Sequence, residues 1–283
     1  EIARLTAPAH ARVLDLIRRP IGRTEMALNS HFSLVAPDAS LSVVAAAQRD
    51  YAASLLSGSP EARLPLLSAV APFRAGGRAG PTGYIDIPAG PLSMRHAAEL
   101  YVYPNTICVI AATGAMVAGW LERSSGLFNV LTPGVLDQPL IDPAFPSYNF
   151  DLLDGLTWVI DPVVPAGHGR VSDIRWQGRP LRADAMFAVV TNSYRAGGGG
   201  GYEQLTAAQV LHAPGRPTRD VVVDYLHRRQ PAAAPPSWRF APNPGTAAWF
   251  DTGPRAQREA VPALALDDLG LMADGFRRFR LRF

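Results

Sequence analysis

At 283 residues, 48% hydrophobic and 18% charged, the chain has the composition of an ordinary globular protein, with enough core for one large domain or two ordinary ones. Its net charge of +3 comes from 27 basic residues, all arginine, against 24 acids, and without a basic run it lacks the footprint of a nucleic-acid polymer binder. A single cysteine excludes an internal disulfide, no uninterrupted apolar window of about 18 residues exists, and "EIARLTAPAHARVL" lacks the charged start followed by an apolar run that a signal peptide would show.

In chain order, the spacing of Val13, Leu14 and Ile17 predicts a helix over 9–19 that stops before Pro20. A second helix is predicted over 39–57, entered from Pro37-Asp38 and left at Gly58. A buried strand over 65–71 runs into the Gly-rich loop "PFRAGGRAG". Ser93 can cap a helix "MRHAAEL", "TICVIAA" reads as a buried strand holding Cys108 as a core thiol, and Thr113 can cap "GAMVAGWLERSS". Strands are predicted at "TWVIDPVV", "VSDIRWQG" and "AMFAVVTN", then helices at about 205–212 and 219–229. "RRQPAAAPPS" has the composition of a linker, and "WRFAP", "TAAWFDT" and "FRRFRLRF" read as short strands of a terminal appendage.

The apolar run "AMFAVVTN" delivers the chain to "SYRAGGGGGY", with five consecutive glycines. Such a run is entropically costly and implies a close approach to the backbone. A P-loop is excluded because the chain has no lysine, and no G-x-G-x-x-G frame fits the run. The signatures HExxH, CxxC and G-x-S-x-G are missing too. The histidines, including His168 in "AGHGRV", are scattered singly and read as structural. The carboxylates Asp151 and Asp154 in "YNFDLLDG" read as capping or turning residues.

"YVYPNT" and "TNSYRAGG" each set a tyrosine, Tyr103 and Tyr194, beside a chain-turning element. Two tyrosines on separate loops can sandwich a flat ring, with Asn105 reading its edge through an amide that both donates and accepts. Arg74, Arg78 and Arg195 are the cations placed to meet an anionic group.

Several stretches, in order, carry a family resemblance: "LPLLSAVAPFRAGGR", "ELYVYPNTICVIAATGAMVAGWLERSSGLFN", "YNFDLLDGLTWVID" and "AMFAVVTNSYRAGGG", with "SWRFAP" and "LALDDLG" in the tail. They resemble the C-terminal domain of the bacterial 5'-nucleotidase family, in particular its periplasmic 2',3'-cyclic-nucleotide 2'-phosphodiesterase/3'-nucleotidase branch. The resemblance implies an α+β fold, a mixed β-sheet with packed helices. It implies a linker helix over 1–24 following an N-terminal metallophosphoesterase domain, a nucleotide-binding domain over 25–232 and a C-terminal appendage over 233–283. The site residues it implies are Tyr103 and Tyr194 clamping the base, Asn105 beside the first ring, Arg74 in a Gly/Ala-rich loop approaching the substrate, and Gly198 and Gly199 behind the second ring. Gly200 and Gly201 stand where many relatives have an acid that holds ribose hydroxyls.

The Asp-x-His, Gly-Asn-His and Gly-His-x-His metal motifs of the catalytic domain are absent from this sequence. The resemblance therefore implies that two divalent metal ions belong to that other domain and that this chain holds no cofactor. The chain begins with Glu, and the expectation is a piece of something longer, silent by itself. The implied partners are nucleosides, 3'-nucleotides, 2',3'-cyclic nucleotides and the covalently linked catalytic domain, with no membrane. The rival expectation is a stand-alone nucleoside-binding or protein-interaction module.

Overall fold

A computed structural model describes residues 2–233 and 237–283. Helix α1 (Ile2–Arg18) leads into strands β1 (Pro20–Thr24) and β2 (Leu28–Asn29), then helix α2 (Ala39–Leu56). There follow β3 (Leu66–Val70), β4 (Asp86–Ile87), β5 (Gly90–Ser93), α3 (Met94–Leu100), β6 (Ile107–Thr113) and α4 (Gly114–Ser124). The chain continues through β7 (Leu152–Asp154), β8 (Leu156–Ile160), β9 (Val171–Trp176), β10 (Arg179–Pro180) and β11 (Met186–Asn192) into the single turn α5 (Ser193–Ala196). Last come β12 (Gln209–His212), α6 (Thr218–Arg228), β13 (Trp238–Phe240), β14 (Ala247–Thr252), β15 (Ala265–Leu271) and β16 (Arg277–Arg282).

The caps legible in the sequence form. Asp38 accepts the Leu41 N–H at 3.1 Å to start α2, and Gly58 takes φ +82° just past its end. Ser93 and His96 make a reciprocal cap on α3, with His96 Nδ1 accepting the Ser93 N–H at 3.0 Å. Thr113 accepts the Met116 N–H at 3.2 Å and starts α4.

The central sheet is five-stranded and mixed, in the order β12-β6-β11-β3-β7. β11 runs parallel to β3 and antiparallel to β6. β6 and β11 are buried over nearly their whole length, on both faces, which is why they read as continuous apolar runs with no alternation. α2 and α4 pack on this sheet. Gln48 of α2 donates to Ser68 Oγ at 2.8 Å and to the Ala69 carbonyl at 3.0 Å, fixing helix to strand.

Gly155, at φ +103°, lets the chain step from β7 into β8 and so into a four-stranded sheet, β10-β9-β8-β13. There a side chain would also press on Leu67 Cδ2 at 2.9 Å. A three-stranded sheet, β14-β16-β15, completes the main layers.

Two segments differ from the sequence reading. The stretch expected as a helix at 205–212 divides into a 3-10 turn, Glu203–Ala207, and strand β12, because the open edge of β6 offers it a ladder at Gln209↔Ala111 and Val210↔Ile110. The segment expected as an appendage is built into the main body. β13 lies parallel to β8, Trp238 is buried against Phe128 and Phe150, and Phe250 and Phe279 both pack on Phe32. Part of the expected linker, residues 234–236, lies outside the described residues. No described helix is long and apolar enough to cross a membrane.

Candidate functional site

The topology brings four loops to one end of the central sheet. Ile107, the first residue of β6, pairs with Asn192, the last of β11. β3 runs parallel to β11, so its exit at Val70 lies at that same end, and Val70 pairs with Leu152, the first residue of β7. The segments 71–78, 101–106, 147–151 and 193–202 therefore cluster there, and every site residue expected from the sequence lies in one of them.

Tyr103 is 40% exposed, and its ring is edge-on to Phe73 at 5.0 Å and to Tyr148 at 6.3 Å. Helix α6 holds this loop from behind. Thr218 N–H donates to the Asn105 carbonyl at 3.0 Å, and Arg219 donates to the carbonyls of Tyr101 and Val102 at 3.0 and 2.8 Å. The Asn105 amide is thus carried on a pinned backbone, beside the buried Tyr101 hydroxyl, which also faces Asn192. Burial pushes the Tyr101 hydroxyl above the ordinary phenol range.

Arg74 is half-buried, and its carbonyl accepts from Ser30 Oγ. Its guanidinium enters no ion pair with the described residues.

Tyr194 sits in α5, whose cap is Asn192 Oδ1 accepting the Arg195 N–H at 2.9 Å. Tyr194 is 47% exposed. The glycine run curls back beneath it, with Gly198 N–H and Gly199 N–H donating to the carbonyls of Arg195 and Tyr194 at 2.9 and 3.0 Å. A Cβ on Gly199 would stand 2.6 Å from Tyr194 Cζ, and one on Gly198 2.8 Å from Thr206 Cγ2. A Cβ on Gly200 would overlap Asn149 Oδ1 and Arg195 Nη1, and one on Gly201 would meet Arg123 Nη2 at 2.8 Å. Gly198, Gly200 and Gly201 also have φ near +80°. What comes too close for a side chain along 198–201 is the protein itself.

Arg195 is expected from the sequence to face an anionic group, and the structure instead buries it at 2% exposure. Its Nε lies 2.6 Å from Asp151 Oδ2, and its Nη2 donates to Asp151 Oδ1 at 3.0 Å and to the Tyr148 carbonyl at 2.8 Å. Its Nη1 donates to the Gly199 carbonyl, and the guanidinium carbon lies 4.1 Å from the centroid of Tyr202. The physical reason is the partner: a buried guanidinium and a buried carboxylate in contact neutralise each other, with Nη2 hydrogen-bonded to the carboxylate, and neither charge is tolerable there alone.

Asp151 is likewise more than a turn residue. Trp120 Nε1 donates to its Oδ2 at 2.7 Å, and burial pushes its carboxyl above the usual range while Arg195 pulls it back. Tyr202 completes the layer, donating to the Asn149 carbonyl at 2.6 Å and lying 2.7 Å from Ser124 Oγ. Tyr148, Asn149, Asp151, Tyr202 and Arg219 were not expected in the site. The pairing of β7 with β3 brings Tyr148, Asn149 and Asp151 to the glycines, Tyr202 follows the glycine run directly, and Arg219 comes from α6 behind the 101–106 loop.

"AGHGRV" resolves as a structural turn. Glu122 Oε1 accepts the N–H groups of Gly167, Gly169 and Arg170 at 2.8, 3.1 and 2.9 Å, and Oε2 accepts that of Val171 at 2.8 Å. Among the described residues no three His, Cys, Asp or Glu side chains converge to hold a metal ion.

Comparison with known proteins agrees with this architecture. The family model for the 5'-nucleotidase C-terminal domain matches residues 21–207. The chain is 36% identical over 97% of its length to the trifunctional nucleotide phosphoesterase protein YfkN of Bacillus subtilis, covering 20% of that protein. It is 34% identical over 91% of its length to the 2',3'-cyclic-nucleotide 2'-phosphodiesterase/3'-nucleotidase of Haemophilus influenzae, covering 43% of it. The crystal structure of a putative 5'-nucleotidase from Staphylococcus aureus shares the fold at a TM-score of 0.64 and 23% identity, over 81% of this chain and 42% of that one. The chain thus spans less than half the length of these relatives, and it belongs to the 5'-nucleotidase C-terminal domain family.

Proposed function

We propose that this chain is the nucleotide-gripping part of a phosphoesterase acting on 2',3'-cyclic nucleotides and 3'-nucleotides. The base stacks between Tyr103 and Tyr194, Asn105 addresses the ring edge, and Arg74 meets the anionic end of the ligand. The observation that carries this reading is the placement of two half-exposed tyrosines on loops at one end of the same sheet, each loop pinned from behind by backbone hydrogen bonds. Two rings held in this way offer stacking faces without first paying for their own ordering. Arg195 belongs to the support of this grip, on the grounds of its burial.

Bond breaking falls to a metallophosphoesterase domain outside this sequence, whose two divalent metal ions activate water and stabilise charge on phosphorus. This chain's own contribution is to bind, orient and hold the substrate. The periplasm is the proposed location, by resemblance to that branch.

A metal-free calorimetric titration of this chain with adenosine and 3'-AMP tests the reading. Both ligands are expected to bind, Tyr194→Ala to lose ~1–3 kcal/mol with either, as for one stacking face, and Arg74→Ala to weaken 3'-AMP more than adenosine. Absence of binding by either ligand at millimolar concentration, or equal binding by Tyr194→Ala, overturns it. Phosphate release from 3'-AMP by this chain with Mn²⁺ or Mg²⁺ would overturn the assignment of chemistry to another domain.

A further inference from the structure

The clamp reading leaves unexplained why a buried ion pair sits directly beneath one of its two rings. Replacing such a pair by apolar residues is often neutral or stabilising, so a pair of this kind is weak evidence for stability and invites a search for another role. Asp151 immediately precedes β7 and Arg195 lies in α5, and they meet at 2.6 Å with both side chains nearly inaccessible. Trp120 from α4 fixes the carboxylate by its indole N–H. Side chains from α4 and from the residue before β7 thus meet beneath α5.

The Arg195 guanidinium acts on Tyr194 along two routes. Its Nη1 holds the carbonyl of Gly199, and the α-carbon of Gly199 is the surface on which the Tyr194 ring rests, so close that a Cβ would stand 2.6 Å from Cζ. Its guanidinium carbon also lies 5.6 Å from the Tyr194 ring centroid, within cation–π range. The glycine run has no side chains of its own to fix a shape, so its path is set from below. Arg195 holds the Gly199 carbonyl, and Arg123 holds those of Gly200 and Gly201 at 3.3 Å each.

We propose that the buried Asp151–Arg195 pair is a positioning device for Tyr194, transmitting the geometry of the sheet, through the Gly199 carbonyl and the ring face, to the orientation of an exposed aromatic side chain. Arg195 and Asp151 touch no ligand. They act through Tyr194, and the glycine run is the coupling element because only a chain without Cβ atoms lets arginine from one side and tyrosine from the other approach the same peptide groups. The proposal rests on the clamp reading for its functional meaning, while its structural content, a ring oriented by the pair, stands without a ligand.

Two variants test it. Arg195→Lys keeps the charge and removes the fork. Gly199→Ala leaves the pair intact and pushes the ring directly, at a position whose φ is not in the left-handed region. It serves on its own if Arg195→Lys does not fold. The first readout needs no ligand: the ¹⁹F resonance of 3-fluorotyrosine placed at 194. One sharp line is expected in the parent chain, and a shifted line or two exchanging lines in both variants. The second readout is the affinity for adenosine, with and without Tyr194→Ala. Each variant is expected to weaken binding on the order of ten-fold, the scale of one misplaced stacking contact, and to have no further effect once Tyr194 is alanine.

An unchanged resonance in Gly199→Ala and in any folded Arg195→Lys overturns the proposal. So does a loss of affinity that persists undiminished in the Tyr194→Ala background, because a merely structural pair would weaken binding whether or not the ring is there. A moved ring in a parent chain that binds no nucleoside supports the positioning device and refutes the clamp, so the two failures are distinguishable.

Discussion

Gly200→Ala measures how tightly the layer under the glycine run is built. Gly200 sits at φ +79°, where a Cβ costs about 1–2 kcal/mol on any L-residue. The added methyl would also occupy the space of Asn149 Oδ1 and Arg195 Nη1, so the charged hydrogen bonds of a buried guanidinium must shift, a loss of about 1.5–3 kcal/mol. The sum is about 2.5–5 kcal/mol. Gly58→Ala is the control, since its φ of +82° carries the same backbone strain but no other atom lies within 4 Å of its added Cβ. Urea denaturation followed by circular dichroism should place Gly200→Ala about 1.5–3 kcal/mol below Gly58→Ala, and thermal melts should separate them by several degrees. Equal losses in the two variants would refute the reasoning, because the network would then be soft enough to accept a methyl group.

Asp38 provides a pH prediction: it is buried at the start of α2, and desolvation raises its carboxyl from 3.8 to about 6. The folded state binds this proton more tightly than the unfolded one, so stability falls as pH rises from about 4 to about 6 and stays lowered above that. Asp38→Asn keeps an acceptor for the Leu41 N–H and never charges. It should be more stable than the parent by about 1–3 kcal/mol at pH 7.5, the advantage shrinking toward pH 4, and denaturation at the two pH values contradicts this if the difference is constant. Trp120→Phe removes the indole donor from buried Asp151 and should destabilise by about 1.5–3 kcal/mol; a melt within about 1 °C of the parent would refute it. Arg278→Ala removes both the Asp251 pair, at 2.7 Å, and the guanidinium stacked 3.8 Å from the Trp249 centroid. The expected loss is about 1–2 kcal/mol, and the absence of any shift in a denaturant midpoint would count against it.

The elements legible in the sequence are those decided within a few residues. The caps at Asp38, Ser93 and Thr113, the continuous apolar runs of β6 and β11, and Gly58 as a helix stop all follow from local chemistry. The ordered motifs likewise identified the family and pointed to loops that carry Tyr103, Asn105, Arg74 and Tyr194.

Tertiary structure decided what those loops rest on. Residues 209–212 became a strand because β6 had an open edge, and the tail joined the core because Trp238 and Phe250 found aromatic partners far away in sequence. Arg195 and Asp151 illustrate the division most sharply. In the sequence Arg195 reads as a cation for an anionic ligand group and Asp151 as a capping or turning residue, and only the pairing of β7 with β3 places a carboxylate 2.6 Å from that guanidinium. A charged side chain's role depends on its desolvation and its partner, and both are properties of the folded assembly of strands.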